Sequence, residues 1–291
     1  MDHGYFPRGR SVLRMVHEEK LVGLFYGQRA LCVGAVKPLN YVGTSEHTAN
    51  KRMPFRRITH TGAMFEAVFF GTRAEADRVL AAVDLMHERV VGALPEDAGP
   101  HHPAGTPYAA FDPALMLWTV AVIADSAEWF FERLVRRLSD TEREALWQDY
   151  IRFGELFKLP RDAVPATYGA YRAWYAEQLA GADLYLTDEA RYMGHASAFQ
   201  IPMPARSQPA KRVHDLVMLG SLPSRVRELY GLRYTPAHAA ACMAALASAR
   251  LARLIVPRAL TRGSCIPEFE MVAATERRRI ERGQATPQLA G

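Results

Sequence analysis

A chain of 291 residues with 49% hydrophobic content is long and apolar enough for one large domain or two small ones. Its 36 basic and 31 acidic residues leave a formal net charge of +5. They form no basic arm with interleaved aromatics, so nucleic-acid binding is not indicated. Three widely spaced cysteines, Cys32, Cys242 and Cys265, exclude a disulfide framework and a C-x-x-C zinc site, and fit a reduced, cytoplasmic setting.

Residues 1–10 are polar, hold no secretory signal and read as flexible. Residues 11–25 are amphipathic and 28–36 short and apolar. Both predict helix, the second stopped by Pro38. Pro54 suits the first turn of a helix that Gly71 ends. Thr72-Arg73-Ala74-Glu75 is a capping box, opening a helix expected to run to a left-handed cap at Gly92. A loop rich in Pro, Gly and His follows over 94–106. Asp112-Pro113 opens a long helix to about Leu138. Its apolar run, 114–124, is too short to cross a bilayer and reads as a buried central helix, so no transmembrane segment is expected. A second capping box, Ser139-Asp140-Thr141-Glu142, opens a helix to about Phe157.

Further helices are predicted at 167–179, 187–199, 210–219, 223–230 and 236–255, with a proline-rich linker over 201–209. Glu276-Arg277-Arg278-Arg279 carries both signs and reads as a solvated helix face. Strand-like alternation is nearly absent and no internal repeat is evident. The expectation is one all-α, multi-helix globular domain over 1–291, with flexible ends at 1–10 and 283–291.

Two histidines fall on apolar helix faces. Ala76, Leu80, Val83, His87, Val90 and Val91 form one stripe at helical spacing, so His87 faces the core. A buried imidazole needs a partner, and neutral histidine is the commonest protein metal ligand. On the preceding helix Arg57, His60, Thr61 and Met64 share a face, above the apolar Phe65, Val68, Phe69 and Phe70. The pattern is open between a metal or haem iron gripped by two packed helices and two hydrogen-bonded core histidines. Arg57 suits a haem propionate in the first case.

Other constellations are weaker. His17-Glu18-Glu19 and His214-Asp215 lack convincing facial-triad spacing, and His101-His102 lies in a loop that reads as exposed. Asp125 and Glu128 read as partners for a buried arginine. G-x-S-x-G, P-loop and G-x-G-x-x-G patterns are absent.

A series of motifs then resembles one family, the MpaB-type oxygenases, which include the rubber oxygenase latex-clearing protein. The matching strings are Glu46-His47-Thr48, Arg57-Ile58-Thr59-His60-Thr61, Phe70-Gly71 and Met86-His87-Glu88-Arg89-Val90-Val91-Gly92. They continue with Tyr108-Ala109-Ala110-Phe111-Asp112-Pro113, Leu117-Trp118, Asp125-Ser126, and Leu222-Pro223 through Tyr230-Gly231-Leu232. No single motif is specific; their order is.

The resemblance implies a b-type haem held between core helices, with His87 as proximal iron ligand. It places His60 where the family has a distal lysine, with Arg57 and Thr61 lining the distal pocket. It further implies an oxygenase acting on a hydrophobic small-molecule metabolite, with dioxygen or peroxide as oxidant. Two positions depart from the family. Its A-H-P is Val36-Lys37-Pro38 here, and Val120 stands where a histidine commonly follows the Leu-Trp pair. These departures motivate the alternative of a degenerate member that binds a ligand or partner without redox chemistry. A non-haem metal site using His60 or His87 with carboxylates is a third reading.

Overall fold

The structure is a computed structural model and describes residues 4–48 and 51–287. The described residues form fourteen α-helices and one short β-ribbon. The helices open with α1 (Val12–His17), α2 (Lys20–Gly34), α3 (Pro38–Glu46), α4 (Pro54–Phe70) and α5 (Arg73–His87). Strands β1 (Val91–Ala93) and β2 (Pro107–Ala109) pair antiparallel, with Gly92 opposite Tyr108. Then come α6 (Pro113–Leu134), α7 (Asp140–Leu156), α8 (Tyr168–Ala180), α9 (Asp188–Phe199) and α10 (Gln208–Ser221). The chain closes with α11 (Ser224–Tyr230), α12 (Pro236–Ile255), α13 (Arg258–Thr261) and α14 (Ile266–Glu281). The all-α expectation holds.

Helix α6 is the axle. Asp112 caps it, accepting from the Ala114 and Leu115 N–H groups, and Pro113 occupies its first turn. From Met116 onward almost every residue is buried, because α2, α3, α7 and α12 pack around it. Burying Trp118, Phe130, Phe131 and Leu134 contributes roughly 1.5–3 kcal/mol each. At its centre Asp125 accepts from Arg29 of α2 at 2.7 Å and from Arg172 of α8 at 2.5 Å. Arg29 is only 2% exposed, and it also donates to Ser126 Oγ and to the Ser221 carbonyl. One buried guanidinium therefore ties α2, α6 and α10 together, as the sequence pairing of Asp125 with an arginine anticipates. Glu128 is bound by the Tyr168 hydroxyl at 2.5 Å.

Both capping boxes form. Thr72 and Glu75 exchange side-chain-to-backbone bonds, as do Ser139 and Glu142. Four expectations need correction. The first amphipathic stretch breaks at Glu18–Glu19, because Glu19 is fully buried and gripped by Arg253 and Arg262. Pro38 does not stop a helix but starts α3, since a proline at N1 forfeits only a donor that has no intrahelical partner. Helix α5 ends at His87 rather than near Gly92. Gly92 lies in β1, where a Cβ would meet the Tyr108 hydroxyl at 2.6 Å. Glu276 is not solvated. It is wholly buried and accepts from the Phe55 and Arg56 N–H groups, capping the start of α4 from 220 residues away.

Residues 4–10 are anchored as well. Phe6 is buried edge-on against Phe69, and the Tyr5 hydroxyl donates to Asp77. The expected flexibility of residues 1–3 and 288–291 lies outside the described residues.

Candidate functional site

Helices α4 and α5 form an antiparallel hairpin closed at Gly71–Thr72, and this hairpin carries all four predicted site residues. Arg57 is in the first turns of α4 and half-buried. Its Nη1 donates to the Thr48 hydroxyl at 2.9 Å, and Thr48 in turn donates to the Thr44 carbonyl. No carboxylate pairs with Arg57 among the described residues. Burial pushes its guanidinium below the ordinary value, opposed by the nearby Tyr41. An arginine desolvated without a counter-ion is costly, and it is chemically ready for an anion. Thr61 turns back on its own helix, its hydroxyl donating to the Arg57 carbonyl at 3.2 Å.

His87 is the last residue of α5. It continues the stripe of buried Ala76, Leu80 and Val83, so its predicted inward direction is found, although it is half-buried rather than enclosed. Val90 is half-buried and Val91 exposed, because the helix has ended before them. The imidazole meets the Phe111 ring edge-on, with centroids 5.8 Å apart. Its Nδ1 is buried and has no hydrogen-bond partner. Burial lowers its pKa, with Asp84 acting in the opposite sense, so the ring is neutral near pH 7 and keeps a free lone pair. Lys158 braces this end of α5. It pairs with Asp84 at 3.0 Å and lies over Phe111 at 5.1 Å.

His60 is placed differently. It is exposed and lines a cleft of about 730 Å³, together with Met64, Ala67 and Phe70 of α4 and Arg78, Val79 and Ala82 of α5. Arg8, Arg14 and Glu18, and Gly263 and Ser264, contribute to its lining from outside the hairpin. His87 is not among the lining residues. Counted from the hairpin turn, the two histidines are offset by roughly 6 Å along the axes. The structure thus brings Arg57 and Thr61 together, turns His87 toward the core, and places His60 on the cleft. It does not bring the two histidines onto one cavity.

The departures from the family pattern have structural partners. Lys37 forms an ion pair with Asp183 at 2.5 Å, donates to Gln178 at 2.9 Å and lies over the Trp118 ring. Val120 is buried in the α6 core. Sequence reasoning quoted Thr48 and Phe111 only as parts of matching strings, and it missed Tyr41, Asp84 and Lys158 altogether. Thr48 and Phe111 prove to be the immediate neighbours of Arg57 and His87. Nothing in their local spacing marks them as such.

Three further histidines have structural partners among the described residues. His17 is buried between Tyr26 and Phe69 and bonds the Tyr150 hydroxyl at 2.7 Å. His214 stacks on Phe25 and its Nδ1 meets Asp215, while its Nε2 is buried and unbonded like the His87 Nδ1; the His102 ring bonds the Asp183 carbonyl. Among the described residues no three His, Cys, Asp or Glu side chains gather as a metal cage.

One helical hairpin of this all-helical domain thus presents an unbonded imidazole nitrogen and a guanidinium with no ion-pair partner among the described residues. The chain belongs to the family described as ER-bound oxygenase mpaB/B'/Rubber oxygenase, catalytic domain, which is matched over residues 14–255. It is therefore an oxygenase-family catalytic domain. It is also similar to two uncharacterized proteins, from Mycobacterium bovis and Mycobacterium tuberculosis. Each is 26% identical over 204 residues, covering 70% of this chain and 76% of the relative. No solved structure matches.

Proposed function

We propose that this chain is a haem b-dependent oxygenase acting on a hydrophobic small-molecule metabolite, with dioxygen or peroxide as co-substrate, in the cytoplasm. The observation that carries the reading is the His87 Nδ1, buried and without a hydrogen-bond partner on the helix that bears the family's histidine motif. A buried polar atom left unbonded calls for a partner, and a neutral imidazole on a rigid helix end suits an axial metal ligand. Arg57 fits a propionate by the same logic, since its charge is desolvated and unpaired among the described residues. Bound haem supplies the redox-active iron at which an oxidant is activated.

The chain's own residues do the rest. Asp84, Lys158 and Phe111 hold the His87 end of α5 in place. Thr48 fixes the Arg57 fork through one nitrogen and leaves its other donors available. The apolar Met64, Phe70 and Val79 give the cleft on the α4–α5 hairpin an oily wall suited to a hydrophobic substrate. His60 sits on that wall as a group able to take or give a proton.

An absorption spectrum of the purified protein tests the reading. A Soret band should be present and should be lost in a folded His87→Ala variant. A folded variant with an undiminished band would overturn the assignment of His87. The non-redox alternative, motivated by Lys37 and Val120, predicts colourless protein even after haem is supplied.

A further inference from the structure

Helix α12 presents a long apolar face that none of the described residues covers. Cys242 and Leu246 anchor its inner side on α6 and α10. Outward, Met243 is 63%, Leu251 65%, Leu254 74% and Ile255 86% exposed, and Leu260 of α13 continues the patch at 67%. Between Glu228 and Glu268 the sequence holds five arginines and no acidic residue. Arg253 and Arg262 are drawn inward by Glu19, whereas Arg233, Arg250 and Arg258 have no ion-pair partner among the described residues. An exposed apolar strip bordered by unpaired arginines, on a segment with no carboxylate of its own over residues 229–267, is complementary to a surface that is oily inside and negative outside.

We propose that α12 and α13 form a docking face for an anionic lipid membrane, lying along the surface rather than crossing it. Crossing would tear Cys242 and Leu246 from the core and strand the fully buried Glu19 carboxylate without Arg253. A second copy is the poorer occupant. A two-fold pairing of this face sets arginines against arginines with no acid between them. The docked element also leads directly into the cleft, since Gly263 and Ser264, just past α13, line it. The proposal does not depend on haem.

Co-sedimentation of the full chain with vesicles decides it. Vesicles of phosphatidylcholine containing about one-third phosphatidylserine should pellet the protein at least about tenfold more effectively than phosphatidylcholine alone, and added salt should weaken this binding. A Leu254→Ser/Ile255→Ser double variant and an Arg250→Glu/Arg258→Glu double variant should each lose about tenfold or more of the binding. Both should keep the wild-type far-UV circular dichroism and melting temperature, because all four side chains are exposed. Equal pelleting on both vesicle types, no pelleting on the anionic ones, or variants that bind like wild type would overturn the proposal. So would a wild-type dimer in sedimentation that the Leu254→Ser/Ile255→Ser change converts to monomer.

Discussion

Replacing Glu276 with alanine tests whether the helix that carries Arg57 and His60 is held from across the fold. Glu276 is fully buried, and its two oxygens accept from Phe55 N at 3.1 Å and Arg56 N at 2.9 Å. Both donors belong to the first turn of α4, where no intrahelical acceptor exists. Met53, at the N-cap, makes no side-chain cap bond. Each buried N–H left unbonded costs about 1–3 kcal/mol, and the Arg56 group is the less buried of the two. Glu276→Ala should therefore cost about 2–4 kcal/mol, read as a lower urea midpoint at unchanged m-value. Glu276→Gln keeps volume and one acceptor but aims an amide N–H₂ at a donor, so it should fall between.

The pH dependence adds a second readout. Burial raises the Glu276 pKa and outweighs the two N–H bonds that lower it. Between the ordinary and the raised value the native state holds the proton that the unfolded state has released. The stability from this group is thus fullest below the unfolded pKa and declines as pH rises through the folded one. The wild-type advantage over Glu276→Ala should be larger in mild acid than at neutrality. An alanine variant within about 0.5 kcal/mol of wild type at both pH values would refute the capping role.

Asp125→Asn should cost about 3–5 kcal/mol in chemical denaturation, because it leaves the buried Arg29 cation without its anion. Lys158 adopts φ 69°, a left-handed conformation that a β-carbon disfavours. Lys158→Gly should therefore be about 1 kcal/mol more stable than Lys158→Ala, since both lose the Asp84 pair and only glycine relieves the backbone. Burial pulls the His17 pKa down to about 3, so protons bind the unfolded state first. Stability from this group is present above the ordinary histidine value and is lost as pH falls toward about 3. His17→Leu should be weaker at neutrality, where the Tyr150 hydroxyl loses its partner, yet lose less stability on acidification.

The helices were legible in the sequence because their signals are local. Thr72 with Glu75 and Ser139 with Glu142 are three residues apart, and each pair does what its spacing requires. The stripe that turns His87 inward is equally local. What escaped was set by distant partners. Glu276 reads as solvated until α4 is laid against α14, and Glu19 reads as polar until two arginines from beyond residue 250 reach it. The extent of α5 was misjudged because Gly92 answers to the Tyr108 ring across a ribbon, not to a helix end. The exposure of His60 could not be read either, since α4 turns other sides toward α5 and α14 and leaves that residue at the cleft.

The Lys37–Asp183 pair constrains how this chain can change. Asp183 belongs to the loop between α8 and α9, where the Tyr185 N–H also bonds the Val36 carbonyl and the His102 ring bonds the Asp183 carbonyl. A shorter, neutral histidine at position 37 would leave Asp183 and Gln178 without the ammonium they share. Positions 37 and 183 are therefore epistatic. Lys37→His should loosen this clasp between two loops, and exchanging Asp183 as well should remove the penalty of leaving the acid unpaired. The residue that decides what position 37 can hold thus lies 146 residues along the chain.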